Sequence, residues 1–372
     1  MIQKRAAPVA DTGDYLKAFA CTAVMAQTVL SFALTTAAGR QLQGGIAGVY
    51  LAIKFTAPAF ICGIVMTTMR VSPARPHYGQ YLRQQWSALG VPTLVWSLAY
   101  LLLLPQLQQH HAFQTVGQFG WQLVNGNAAP HLWYNTMMLQ IIFLMPLWWA
   151  LRRGWARHHG LIRVVTVLLL VGWLVWYNGV AVPTGQAAKW YLLDRACWGF
   201  AVYAVLGIGL ASSPTHWLRG YTWLGLVVFG GLTWAWQDHQ LLHTGRPLDL
   251  NRSSYYLPAT VGYGLCVILL LVCLAHWHQR RQSRWLPVIH WLATYAYRAY
   301  LANVFWLEVI WLLGGRTLTA AHPVWGIVGC YVLTWCWSFA TTYGLHLLEQ
   351  RLKGTVRRWR QARQTARNRS NW

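Results

Sequence analysis

Stretches of roughly twenty apolar residues recur from one end of this 372-residue chain to the other, separated by short polar interruptions. A stretch of about that length crosses the hydrocarbon core of a bilayer as a helix. In hydrocarbon a segment that satisfies its own backbone hydrogen bonds is the form that can cross singly. The spans predicted on this basis are 15–36, 45–69, 86–105, 131–151, 161–179, 192–212, 219–236, 256–278, 297–314 and 323–348. The expected fold is therefore all-α, a polytopic membrane bundle of about ten transmembrane helices. One membrane domain covers residues 1–350, and a basic segment, 351–372, follows it. Only 10% of the residues are charged and 56% are hydrophobic; an ordinary soluble domain carries roughly 25% charged residues, so a soluble globule is excluded. The first stretch, Leu16 to Thr36, is too long for the core of a secretory signal and lacks a small-residue cleavage site, and is expected to remain as the first span. The seven cysteines fall inside predicted spans, are odd in number and show no CxxC spacing, so neither a disulfide framework nor a metal site is expected.

The formal net charge of +23 would suit a nucleic-acid binder, but its distribution follows membrane topology. With the N-terminus inside, the cytoplasmic segments hold 21 Lys and Arg residues, whereas the outer segments hold six: Arg40, Lys189, Arg195, Arg246, Arg252 and Arg316. By the positive-inside rule both termini are expected in the cytoplasm. Eight basic residues lie between Arg351 and Arg369, directly after the last span. Attraction to anionic headgroups, about 1 kcal/mol per basic residue, accounts for them. The expected partner is membrane lipid, with no nucleic acid, and the oligomeric state is not legible. Tryptophans near span ends, among them Trp86, Trp148, Trp149, Trp223 and Trp277, suit an interfacial belt, because indole combines an apolar body with one N–H.

An ionisable group at the centre of a span costs at least about 2.5–3.5 kcal/mol, which makes each one a functional hypothesis. Lys54 lies nine residues into the second span, about 13 Å at 1.5 Å per residue, too deep for easy snorkelling. It is expected to face the bundle interior. There Glu308, a carboxylate well inside a span, is either its structural partner or a fellow lining residue of a path. Lys17, three residues after Asp14, and Arg298, at the start of the ninth predicted span, lie where snorkelling is cheap; Arg83 just precedes the third span. The segment from Asn125 to Asn135 closes an outer loop without Lys or Arg. Pro130 there can start a helix without losing a hydrogen bond. His131, Trp133, Tyr134 and Asn135 then place an imidazole, an indole, a phenol and an amide at the outer mouth of the bundle. Two readings stand at this point, a sugar-facing cluster and plain interfacial anchoring.

Five motifs occur in order along the chain. The first span carries Lys17 and, eleven residues on, Thr28. The second carries Lys54-Phe-Thr-Ala-Pro-Ala-Phe60 with Gly63, and the approach to the third carries Tyr81-Leu-Arg-Gln-Gln-Trp86 with Pro92 and Trp96. The fourth carries His131-Leu-Trp-Tyr134 with Pro146, and the ninth Tyr297-Arg-Ala-Tyr-Leu-Ala-Asn303. The pattern resembles the acyltransferase-3 family, bacterial ten-helix membrane enzymes that acylate surface polysaccharides and related envelope glycans, and it covers nearly the whole chain. Two departures matter. The family places a histidine eleven residues after the basic residue of the first span and another in the ninth; this chain has Thr28 and Asn303 there.

The resemblance implies a membrane O-acyltransferase of the bacterial plasma membrane, passing an acyl group, most simply acetyl, from cytoplasmic acyl-CoA to a hydroxyl of an extracytoplasmic glycan. Acyl-CoA would be a co-substrate, with no bound cofactor. Lys17 and Thr28 occupy the family's catalytic positions, Arg83 and Arg298 are expected to bind the donor, and Trp133, Tyr134 and Asn135 the acceptor. Lys54, Asn303 and Glu308 are expected to line the path. Threonine does not titrate near neutrality. Either His131 has taken over as catalytic base, since an imidazole suits acid–base work, or the chain keeps the scaffold as a catalytically lapsed transporter, sensor or partner protein.

Overall fold

The computed structural model describes residues 10–72, 76–110, 112–157, 160–185, 191–212, 221–243 and 248–369, and among these there is no β-strand. Lys4, Arg5, Arg75, Lys189, Arg219 and Arg246 of the charge count, and the first two residues of the predicted span 219–236, lie outside the described residues. The chain is an all-α, polytopic membrane bundle. Among the described residues, seven helices are long and apolar enough to cross a membrane, or eight if one bent pair counts as a span. The predicted spans 192–212 and 219–236 correspond to helix Cys197–Ser212, which is shorter, and helix Thr222–Leu242.

Helix α1 (Thr12–Ala33) begins at a capping box. The Asp11 carboxylate accepts from the Asp14 amide at 2.8 Å, and the Asp14 carboxylate accepts from the Asp11 amide at 3.4 Å, satisfying two of the donors a helix start leaves open. Next come α2 (Gln43–Ala52) and α3 (Thr56–Val71), which together form one 29-residue crossing. The expected continuous second span is thus broken, at Ile53–Phe55. The cause is Pro58 in the first turn of α3: it has no N–H to give the Lys54 carbonyl, and its ring crowds that carbonyl. Lys54 consequently sits in the break, its own amide bonding Leu51 O in a tight turn.

Proline shapes three further crossings. Helix α4 (Tyr78–Leu103) widens to a π-turn at Trp86–Gly90, where the Val91 amide reaches Trp86 O, immediately before Pro92. Helix α5 (Leu161–Ala181) ends in the same device, with the Val182 amide bonded to Tyr177 O just before Pro183. Between them the predicted fourth span is a pair of helices, Trp133–Phe143 and Met145–Arg157, bent by 57° at Leu144, two residues before Pro146.

Helix α6 (Leu286–Ile310) starts eleven residues before the predicted ninth span, because Leu286–Ala296 is itself apolar and Pro287 is tolerated in a first turn. Arg298 therefore lies twelve residues into the helix, about 18 Å from its start, rather than at its entrance. The last helix, α7 (Pro323–Arg369), runs 47 residues and carries the basic segment on without a break. Helix α1 packs against both α3 and α6. The α2–α3 crossing is 72% buried and α5 only 17%, which puts the former at the bundle centre and leaves the latter on the lipid side.

Helix α3 also packs closely on helix Ala201–Ser212, where a Cβ on Gly207 would stand 2.7 Å from Cys62 O and 3.1 Å from the Met66 amide. Gly207→Ala is expected to lower stability by about 1–3 kcal/mol, the cost of overpacking. Gly231→Ala, which meets nothing within 4 Å, should instead be neutral or stabilising by up to about 1 kcal/mol. Thermal unfolding of the two variants in detergent measures the difference.

Candidate functional site

A cavity of about 330 Å³ opens among α1, α3, the Pro130–Tyr134 segment and α6. From α1 it takes two adjacent rows of side chains four residues apart, Val24, Thr28 and Phe32 beside Gln27 and Ser31, with Thr35 just past the helix end, so it extends about 12 Å along that helix. Across from these stand Thr56, Ala57 and Phe60, placed by the first turns of α3 just after the break, then His131, Trp133 and Tyr134, and finally Tyr50, Tyr255 and Tyr300. Among the described residues, no acidic or basic side chain lines it apart from His131.

The cavity's polar groups are unusual in their lack of partners. His131 is 6% exposed, and neither ring nitrogen makes a well-formed hydrogen bond, the Leu301 main chain being beside the ring. The imidazole is clamped edge-on between two tyrosine rings, Tyr100 at 5.3 Å and Tyr300 at 5.1 Å between centroids. Tyr100 is fixed in turn by donating to Leu301 O at 2.8 Å and accepting from the Phe305 amide at 2.9 Å, and Tyr300 donates to the carbonyl of His131 itself. The Tyr134 hydroxyl and Gln27 Nε2 are likewise buried without partners. Unpartnered buried polar groups each cost about 1–3 kcal/mol, and proteins rarely retain them without a use.

The two positions that depart from the family pattern meet. Thr28 Oγ1 lies 3.4 Å from Asn303 Oδ1, and it also donates to Val24 O at 2.8 Å, while the Asn303 amide donates to Tyr300 O. Two residues 275 apart in sequence thus form one contact across α1 and α6. Asn303 is fully buried.

The expected partnership of Lys54 with Glu308 is corrected. Lys54, 4% exposed, donates to Ser253 Oγ at 3.0 Å, and its ammonium sits 4.4 Å from the Tyr255 ring centroid and 5.0 Å from that of Tyr50. Glu308 accepts from Gln106 Nε2 at 3.4 Å. Backing by two aromatic faces replaces the carboxylate, because the helix break turns Lys54 towards the Tyr50 and Tyr255 wall. Neither Lys54 nor Glu308 is among the cavity-lining side chains.

The remaining candidates are dispersed. Lys17 lies 3.7 Å from Asp14, which also holds His290 at 2.8 Å. Arg298 is paired with Glu349 of α7 at 3.3 Å. Arg83 is exposed on α4. Asn135 is buried next to the cavity segment, with both side-chain amide atoms unpartnered, but it does not line the cavity. Gln27, Thr56, Tyr255, Tyr100 and Tyr300 do belong to the site, and the search for ionisable groups in spans passes over them. Gln27 had a signal: an amide in the middle of an apolar helix, one residue from Thr28.

Residues 14–343 match the family model for the acyltransferase-3 domain. The chain belongs to the acyltransferase-3 family. With its apolar bundle, that makes it a multi-pass membrane acyltransferase. Neither curated proteins nor solved structures yield a match. Within this acyltransferase-3 chain, the cavity holds the first-span position Thr28 and the His131-Leu-Trp-Tyr134 motif together.

Since Lys54 has aromatic and hydroxyl partners but no carboxylate within 4 Å among the described residues, Lys54→Met is expected to change stability by no more than about 1 kcal/mol. Thermal unfolding of the purified protein checks this; a loss above about 3 kcal/mol would mean that the ammonium is structurally paired.

Proposed function

We propose that this acyltransferase moves an acyl group, in the simplest case acetyl, from cytoplasmic acyl-CoA to a hydroxyl of an extracytoplasmic glycan at the bacterial plasma membrane, with both termini inside. The highly charged donor does not cross hydrocarbon and a polymeric acceptor stays outside, so the transfer site has to lie within the bundle. The observation that carries the reading is the cavity itself, where the His131 ring, without a well-formed hydrogen bond, stands beside the unpartnered Tyr134 hydroxyl and Gln27 Nε2. Such a site, walled by Phe60, Trp133 and Tyr255, suits a polar ligand with an apolar ring face.

His131 is the general base that takes the acceptor's proton, since Thr28 cannot titrate and is committed to Val24 O. Trp133 and Tyr134 meet the acceptor. Lys17 and Arg83 serve the donor's phosphates from the cytoplasmic side. Arg298 is the weaker donor ligand, because Glu349 already neutralises it. Acyl-CoA is a co-substrate, and no bound cofactor or metal enters the scheme.

One observation favours the lapsed alternative, a non-enzymatic membrane transporter, sensor or partner protein. The side chains at both departed positions make ordinary structural hydrogen bonds, Thr28 to Val24 O and Asn303 to Tyr300 O.

His131→Ala is expected to lower envelope-glycan acylation at least about 100-fold in cells that depend on this chain, the scale of a lost general base. Thr28→His should then add little to the wild-type rate. Acylation that is absent from the wild type and appears in Thr28→His would instead establish the lapsed reading. Mass spectrometry of glycan released from deletion, wild-type and variant strains distinguishes these outcomes.

A further inference from the structure

We propose that Gln27 is the hydrogen-bond donor for the carbonyl oxygen of the acyl group in transit, at the end of a donor chain directed by Lys54; this rests on the transferase reading above. Gln27 lines the cavity, is 6% exposed, and its Nε2 has no hydrogen-bond partner. The orientation of its amide is set by Thr56, whose hydroxyl donates to Gln27 Oε1 at 3.0 Å. A threonine hydroxyl has a single proton, so having spent it on Gln27, Thr56 is left to accept from the Tyr255 hydroxyl at 3.2 Å.

Lys54 supplies the direction. Its ammonium, 4.4 Å from the Tyr255 ring centroid, draws electron density from the ring and strengthens the phenol as a donor. Ser253 holds that ammonium at 3.0 Å, and Ser253 in turn donates to Leu250 O at 2.6 Å. The order is therefore Lys54, Tyr255, Thr56, Gln27, each hydrogen bond polarising the next. It terminates in the Gln27 amide at the cavity wall, whose Nε2 is buried without a hydrogen-bond partner.

An acyl carbonyl is the acceptor that such a terminus suits, because its oxygen gains negative charge as the reaction proceeds. The acceptor oxygen attacks the thioester carbon, and the C=O π pair moves onto the oxygen held by Gln27. Collapse of that intermediate re-forms C=O and expels CoA with the C–S bonding pair on sulfur. The acceptor's proton goes to His131 and ends on the departing thiolate, so the products are ester and CoA thiol and no other reactant is consumed. Gln27 is a catalytic residue in this scheme, whereas Thr56, Tyr255 and Lys54 are positioning residues.

The test uses the full chain in nanodiscs containing envelope glycan, with acetyl-CoA turnover followed by CoA thiol release. A second probe is a ketone analogue of acetyl-CoA in which CH₂ replaces sulfur, its carbonyl labelled with ¹³C and read by infrared difference spectroscopy. Gln27→Met, similar in length and without a donor, is expected to lower kcat about 100- to 1000-fold. The KM for acetyl-CoA should hold within about threefold, and the red shift of the bound ketone carbonyl should be lost. Thr56→Val, which leaves the donor but releases its orientation, should produce a smaller fall in kcat and a partial loss of the shift, an effect that simple support of the fold would not have on the carbonyl frequency. An unchanged kcat and an unchanged carbonyl frequency in Gln27→Met would overturn the proposal and leave the transferase reading standing. A wild type that shows a Gln27-dependent carbonyl shift without turnover would support the donor site and remove the transferase reading. Neither turnover nor shift in the wild type would overturn both.

Discussion

A carbonyl that loses its helical partner inside a bilayer has no water to turn to, so every interruption of a membrane helix has to be closed by other protein groups or put to use in a cavity. Proline sets four of the interruptions here. Before Pro92 and Pro183 the chain closes the gap locally with π-turns, at a small cost in helix geometry. At Pro58 and Pro146 it breaks or bends instead. The first of these breaks turns Lys54 out of the helical path and starts α3 with Thr56, Ala57 and Phe60 on the cavity wall. The α3 wall of the cavity depends on that placement.

Around the cavity, rigidity and vacancy of hydrogen-bonding capacity are divided between different groups. Aromatic rings and backbone bonds hold the frame: Tyr100 and Tyr300 clamp the imidazole of His131, and both spend their hydroxyls on main-chain carbonyls. His131, Tyr134 and Gln27 keep polar atoms uncommitted. In a protein interior such atoms are stabilised only when something fills their bonding capacity, so the frame carries the desolvation cost that a bound ligand offsets. Lys54 fits the same division, a buried cation held by two ring faces and a hydroxyl rather than by a carboxylate.

Periodicity and length made the membrane class legible, and most helix positions followed within a few residues. The exceptions have local causes. The apolar segment Leu286–Ala296 extends the ninth span eleven residues further back than expected, which places Arg298 about 18 Å along α6 rather than at a helix entrance. The expected fourth span is continuous through 131–151, whereas the chain bends by 57° just before Pro146. The pairing of Lys54 with Glu308 followed from charge alone, and charge carries no information on where a broken helix aims a side chain.

By itself the sequence determined that this chain lives in a membrane as a helical bundle, because twenty-residue apolar stretches with few charges have no other stable home, and its ordered motifs pointed to the acyltransferase-3 family. Only the tertiary structure decided that Thr28 touches Asn303, that His131 and Gln27 open on one cavity, and that Lys54 backs Tyr255. These pairings join residues up to 275 positions apart. Their distances are set by how prolines break the helices and how α1, α3 and α6 pack, and no local pattern of residues encodes that.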